Sequence, residues 1–256
     1  GLEISVVAPL ACAVDFCVVS GEGVGRREQR WTLRGPVQGI WHGHLDGKGE
    51  GTVYGFRAFG AWDPDAGLYY NPSKFLLDPY GRGVVGTPEL GAPLHAHHVD
   101  HEMYPTTYPL AMSNLNSALA APASVVVTDN FDISPRPRIS PDKTVLYELH
   151  VKGFTKNMPG VPEELRGTYA GLAHPATVEY LKNLGVTTLE LLPVHAKMDE
   201  PFLTERGLVN YWGYSTMSFF APEPSLATAQ AQAAGAQAVV DEFRGMVSLL
   251  HDAGLE

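Results

Sequence analysis

The stretch "HPATVEYLKNLGVTTLELLPV", His174–Val194, decides the fold. Pro175 suits a first helical position, Val178, Leu181 and Leu184 recur at helical spacing, and Gly185 reads as the stop. The next residues, Val186–Val194, form a nearly continuous apolar run, the pattern of a parallel strand buried on both faces. Helix, glycine and strand together make one step of a parallel βα array.

Reading outward, "TVLYELHV" (Thr144–Val151) is an apolar strand preceding that helix. Beyond it lies a connection of about forty residues, a length usually reserved for functional or disordered loops. A second helix follows, with Val239, Phe243, Met246 and Leu250 on one side, His251 in its last turn and Gly254 as its stop. Leu255 and Glu256 then start another strand. The order from Pro141 is β-α-β-loop-α-β, an array entering its third unit.

Residues 1–86 read differently. "ACAVDFCVV" (Ala11–Val19) alternates, with Cys12, Val14, Phe16 and Val18 on one face. "IWHGHL" (Ile40–Leu45) and "TVYGFRAF" (Thr52–Phe59) flank the turn-rich "DGKGEG", a hairpin signal. Short strands with glycine-rich turns predict a β-sandwich of about immunoglobulin size. Residues 87–140 carry histidines, prolines and little periodicity, and are expected to be a linker packing on both neighbours. One short strand is expected there, at Ser124–Val127. The predicted domains are thus 1–86, 87–140 and 141–256.

The bulk numbers agree with globular domains. The chain has 256 residues, 45% of them hydrophobic, so global disorder is excluded. A formal net charge of −10 with 18 Lys and Arg disfavours nucleic acid, whose binding rests on neutralised phosphates. Cys12 and Cys17, five apart on one strand, point to opposite faces and are not expected to bridge. With no signal peptide and no membrane-spanning run, the expected location is cytoplasmic, without a membrane partner.

The densest functional signal is "NYWGYSTMSFFAPE", Asn210–Glu223, with five aromatics in the loop after the second strand. Ligands of parallel α/β sheets bind at that carboxyl end, and flat aromatic faces suit sugar rings. Composition alone favours the blander use, packing of the loop. "HAHHVDH" (His95–His101) lacks the helical pairing of zinc proteases and is expected to be a solvated loop. Glu148 and Glu190 lie within the expected strands and are equally readable as catalytic or as satisfied polar groups. Asp199, Glu200 and Glu205 are expected to be solvated. Trp31, Trp41 and Trp62 could line a glycan-binding face, though core packing is the commoner use of large aromatics. No phosphate loop, nucleophile elbow or zinc motif is present, and no cofactor or metal is expected.

Several long motifs carry a resemblance. "VLYELHVKGFT" (145–155), "RGTYAGLAHPATVEYLKNLGVTTLELLPVH" (166–195) and "ERGLVNYWGYSTMSFFAPEP" (205–224) resemble the opening of the catalytic barrel in bacterial glycogen-debranching enzymes, isoamylase-type members of the α-amylase superfamily. "IWHGHL", "YGFRAFGAWDPDAGLYYNPSKFLLDPYGR" (54–82) and "SVVVTDNFD" (124–132) match the N-terminal part of the same family. The resemblance implies a starch-binding-type, immunoglobulin-like β-sandwich followed by a (β/α)8 TIM barrel, incomplete in this chain. It also implies hydrolysis of α-1,6 branch linkages in glycogen, limit dextrin or maltodextrin by a retaining mechanism, which needs two carboxyls about 5–5.5 Å apart. Those carboxyls are expected beyond Glu256, leaving no catalytic residue in this chain. By the same resemblance Tyr214 stacks on the sugar in subsite −1, with Trp212 as a second contact. Alternatives are a non-catalytic α-glucan-binding module with a barrel remnant, or a branching or trehalose-forming relative.

Overall fold

The structure is a computed structural model that describes residues 1–21, 25–129 and 131–256. Asn130, within the Ser124–Asp132 motif, lies outside the described residues. The chain divides into two units, Gly1–Val126 and Val127–Glu256.

The first unit is sheet-rich. It contains β1 (Leu2–Val7), β2 (Ala13–Ser20), β3 (Arg27–Thr32), β4 (Arg34–Val37), β5 (Ile40–Leu45), β6 (Val53–Phe59), β7 (Trp62–Asp63), β8 (Leu68–Tyr69), β9 (Val84–Val85) and β10 (Ala123–Val125). One antiparallel sheet has the order β1-β5-β4 and another β3-β2-β6-β10-β9, while β7 and β8 pair by themselves. The hairpin expected across Asp46–Gly51 is therefore not formed, since β5 and β6 belong to different sheets. Gly47 and Gly51 take left-handed conformations (φ 68° and 76°) as the chain passes between the sheets. Trp41 and Leu45 from one sheet and Tyr54 and Phe56 from the other then enter one hydrophobic cluster.

β2 is buried on both faces, more than its alternation suggests. Val14, Phe16 and Val18 join the shared cluster, where the Phe16 ring stacks on Tyr54 with centroids 5.1 Å apart. Cys17 and Val19 face the other way, against Phe75, Ala118, Ala121 and Ala123. Cys12 is exposed, Cys17 is buried, and both are free thiols.

Polar contacts hold this second layer down. The buried Arg57 guanidinium donates Nε and Nη2 to the two Glu28 carboxylate oxygens, at 2.6 Å each, and also bonds Pro72 O and Asn116 Oδ1. Lys74 Nζ donates to Pro93 O and Leu115 O, and Asn71 Nδ2 to Ala96 O and Ser113 O. The segment expected as a linker is divided: 87–126 lies in the first unit and 127–140 in the second. There Thr128 N donates to Gln237 Oε1 and the His251 imidazole to Ser134 O.

The second unit mixes strand and helix. It contains β11 (Leu146–Leu149), α1 (Val151–Thr155), α2 (Tyr169–Leu172), α3 (Pro175–Asn183), β12 (Thr188–Leu191), β13 (His195–Lys197), α4 (Pro201–Thr204), β14 (Thr216–Pro222), α5 (Ala229–Ala234) and α6 (Ala236–Asp252). β11 and β12 pair in parallel from Leu146↔Thr188 to Leu149↔Leu191. β11 stops short of the expected Val151 because His150 turns to cap α1, its Nδ1 accepting from Gly153 N.

α3 and α6 end alike. Gly185 and Gly254 adopt left-handed conformations (φ 85° and 84°), and their amides donate to Lys182 O and His251 O. The following residues, Val186 and Leu255, donate to Leu181 O and Leu250 O. This double bond satisfies carbonyls that a helix end otherwise leaves free. It also buries Val186 and Leu255 in the cluster built from Leu149, Tyr169, Leu181, Val239, Met246 and Leu250. After the second such turn Glu256 bonds Thr187 O and Leu189 N in the parallel pattern beside β12, as expected for a starting strand. Among the described residues no helix is long and apolar enough to cross a membrane.

Candidate functional site

The segment expected as a long loop has structure of its own. β13 and β14 pair antiparallel, and α4 lies between them in sequence. Its base is closed at one point. Glu223 N donates to Val194 O at 2.8 Å, and the buried Tyr169 hydroxyl is shared between Val194 O and Glu223 O at 3.3 and 3.0 Å. The Glu223 carboxylate accepts from Lys197 N and Ser225 N beside it.

The turn that displays the aromatics is built around Asn210, a buried residue. Its backbone N–H donates to Asp199 Oδ1 at 2.7 Å, and its side-chain Nδ2 donates to Glu200 Oε1 at 3.0 Å. Its Oδ1 accepts from Gly213 N at 2.8 Å. The Ser215 hydroxyl donates to the same Glu200 oxygen. Asp199 also accepts from Lys197 Nζ at 2.7 Å. Burial works to raise the Asp199 carboxyl, but the bonds from Lys197 and Asn210 hold it below its ordinary range. The Ser215 bond, aided by Asn210, lowers Glu200 likewise. These two acids, expected to be solvated, are instead the anchors of the turn. Glu205, at the end of α4, remains exposed.

Two glycines let the turn seat closely. Gly213 has φ 85°, and a Cβ there would approach Pro193 O to 3.0 Å. A Cβ on Gly153 would run into the Tyr211 hydroxyl. His150 Nε2 donates to Tyr211 O at 2.7 Å. The turn is therefore fastened just beyond the carboxyl ends of β11 and β12, the end at which parallel α/β sheets bind ligands.

Trp212 and Tyr214 project from this turn, 63% and 66% exposed, with ring centroids 6.4 Å apart and planes inclined by 44°. Tyr211, Phe219 and Phe220 are also exposed, so none of the five aromatics is core within this chain. Two neighbouring open rings can take an apolar sugar face each while their polar edges stay hydrated.

The remaining candidates fall elsewhere. Glu148 and Glu190 are register partners on the exposed face of β11 and β12, opposite the clustered Tyr147, Leu149, Leu189 and Leu191. Trp41 is buried with Nε1 donating to Ala8 O, Trp31 packs on the same cluster, and Trp62 donates to Leu110 O edge-on to Tyr69. All three indoles pack within the first unit. In the His95–His101 stretch, His97 and Val99 bridge to Met112 and Pro105, giving the excursion backbone order. Among the described residues no three His, Cys, Asp or Glu side chains are placed to hold a metal. The anchoring of Asn210 by two acids and the His150 contact escaped sequence reasoning. No motif or periodicity in the sequence pointed to them.

No protein-family model matches the chain. The glycogen debranching enzyme of Salmonella typhi is 42% identical over 258 residues, covering 100% of this chain and 36% of that enzyme. The enzyme of the same description from Salmonella typhimurium gives the same 42% identity and the same coverage. The similarity read from the motifs therefore extends over the whole chain, which spans 36% of the length of these curated relatives. Among solved structures, a pullulanase from an Anoxybacillus species complexed with maltotetraose matches with a TM-score of 0.66 at 20% identity. The match covers 99% of this chain and 32% of that one. A type I pullulanase from Bacillus subtilis complexed with maltose also gives 0.66 at 20% identity, covering 99% and 30%. At such identities the structures speak for the fold alone.

Proposed function

We propose that this chain is the amino-terminal part of a glycogen-debranching glycoside hydrolase that cleaves α-1,6 branch linkages of glycogen or limit dextrin with retention. The observation that carries the reading is the 42% identity to glycogen debranching enzymes along the whole chain. In this reading an immunoglobulin-like sandwich (1–86) is followed by a connecting segment (87–140) whose residues fall in both units. Residues 141–256 open a (β/α)8 barrel, and the enzyme works in the cytoplasm. Tyr214 stacks on the glucosyl unit at the cleavage point and Trp212 on its neighbour. The exposed ring pair beyond the carboxyl ends of β11 and β12 supports that assignment.

Retention requires a nucleophile and an acid whose environments push them into different protonation states. Glu148 and Glu190 do not meet this need. They are register partners on the exposed face of β11 and β12, and the resemblance places the reacting pair on later barrel strands. The carboxyl pair is therefore assigned to the part of the enzyme outside residues 1–256. The test is turnover by the full-length protein on limit dextrin and on unbranched maltodextrin, with the anomer of the released sugar followed by NMR. Release of the α-anomer from the branched substrate is expected. Inversion, or transfer of chains without hydrolysis, overturns the proposal.

A further inference from the structure

The Trp212–Tyr214 pair has no rigid element of its own. It lies in a turn between α4 and β14, with both rings mostly in solvent. A stacking site formed by such a turn works only if something outside it fixes the separation and tilt of the rings. The hydrogen bonds identify what does so. Asn210 commits its side-chain oxygen to Gly213 N, the residue between the two rings, and its side-chain NH2 to Glu200 Oε1. The Ser215 hydroxyl, immediately after Tyr214, donates to that same oxygen. One carboxylate oxygen thus holds both sides of the ring pair, through Asn210 before it and Ser215 after it.

We propose that Glu200 is a positioning residue for saccharide binding, setting through Asn210 and Ser215 the geometry at which Trp212 and Tyr214 receive adjacent sugar units. The inference rests on the reading that this ring pair binds glucosyl units. Glu200 itself touches no sugar. Its Oε1 does the holding, while Oε2 is buried without a hydrogen-bond partner among the described residues. What matters is an acceptor at Oε1, and the negative charge is dispensable. A glutamine keeps that acceptor and an alanine removes it.

The same geometry makes a role-reversal possible. Asn210→Asp keeps the acceptor for Gly213 N but loses the NH2 donor and sets a carboxylate against Glu200 and Asp199. Adding Glu200→Gln supplies an amide NH2 facing the introduced carboxylate, and the Ser215 hydroxyl turns from donor to acceptor of its second hydrogen, so both bonds re-form with donor and acceptor exchanged.

The experiment uses the full-length protein and two readouts. The first is amide exchange at Asn210 and Gly213, which reports the anchor whether or not sugar is present. The second is maltoheptaose binding followed by tryptophan fluorescence. We expect Glu200→Ala and Asn210→Asp each to speed exchange at Gly213 at least tenfold and to weaken maltoheptaose several-fold, with slow exchange in β11, β12 and α6 retained. Glu200→Gln stays near wild type, and E200Q in the Asn210→Asp background restores slow exchange. Unchanged exchange in Glu200→Ala overturns the inference, as does a Glu200→Gln variant as impaired as the alanine. Faster exchange with undiminished maltoheptaose binding also overturns it, because the turn is then held without serving the sugar. If the wild-type chain shows slow exchange and the expected variant pattern but no maltoheptaose binding, the reading of the ring pair as a sugar site fails, and with it the positioning role.

Discussion

The imidazole of His150 lies parallel to the Tyr211 ring, with 4.2 Å between centroids and 6° between planes. Its two nitrogens are both committed. Nδ1 accepts from Gly153 N, and Nε2 donates to Tyr211 O. The ring is therefore the neutral tautomer protonated at Nε2. Gly153→Ala sets a methyl against the Tyr211 hydroxyl, the outer end of a half-exposed side chain, and should displace the ring at a cost of about 1 kcal/mol or less. Tyr211→Phe in that background removes the clashing oxygen and should recover most of the loss. Thermal melts of the two single variants and the double variant measure the coupling; strict additivity would show that the clash is not the cause.

Acid should strike the first unit through Glu28. Burial works to raise its carboxyl, but the Arg57 hydrogen bonds, joined by Arg30, bring it from 4.5 down to about 2. A folded-state value lowered in this way contributes stability that is complete above about 4.5 and lost as pH falls toward about 2. Glu28→Gln should flatten the pH dependence across that window. At neutral pH it should cost about 3–5 kcal/mol, because Arg57 is left buried without its counter-charge. Urea titrations from pH 7 to pH 3 decide; a parallel loss in variant and parent would assign the acid sensitivity to other groups.

Residues 1–256 alone should not hydrolyse glycogen, pullulan or maltodextrin, since the proposed function assigns the nucleophile and the acid to the part of the enzyme outside them. A reducing-sugar assay on the purified chain is sufficient. Turnover above the blank that disappears in Glu148→Gln or Glu190→Gln would make one of them catalytic.

Tyr214→Ala in the full-length enzyme should lower kcat as well as weaken binding, by about 2–4 kcal/mol in kcat/KM. Stacking beneath the reacting sugar counts for more in the transition state than in the ground state. Tyr214→Phe keeps the ring face and should lose far less. Because the side chain is 66% exposed, the melting temperature should barely move. Lost stability with unchanged kinetics would return Tyr214 to a packing role.

What the sequence made legible was the repeat. His174-Pro175 and Gly185 bounded α3 correctly, and Gly254 marked the end of α6, because caps and stops are local chemistry. Partners chosen across a turn were not legible. β5 and β6 read as a hairpin from the glycine-rich turn between them, yet each pairs with strands distant in sequence. The alternation in β2 left its second face unassigned, because Phe75, Ala118, Ala121 and Ala123, which cover it, lie far along the chain. Asp199 and Glu200 were read as solvated for a related reason. Their partner Asn210 lies eleven and ten residues further on, beyond α4, where no periodicity links acceptor to donor.

The closure at the base of residues 195–222 has an evolutionary consequence. Val194 and Glu223 meet through a backbone bond, and the Tyr169 hydroxyl rivets both ends to the core of the second unit. With its ends fixed together, the excursion pays only slowly for added length, since closure entropy grows with the logarithm of loop size. Lengthening or replacing it leaves β11, β12 and the helices behind them in register. The segment behaves as an interchangeable cassette. Its descendants can diverge in ring content and reach without re-evolving the parallel pair beneath.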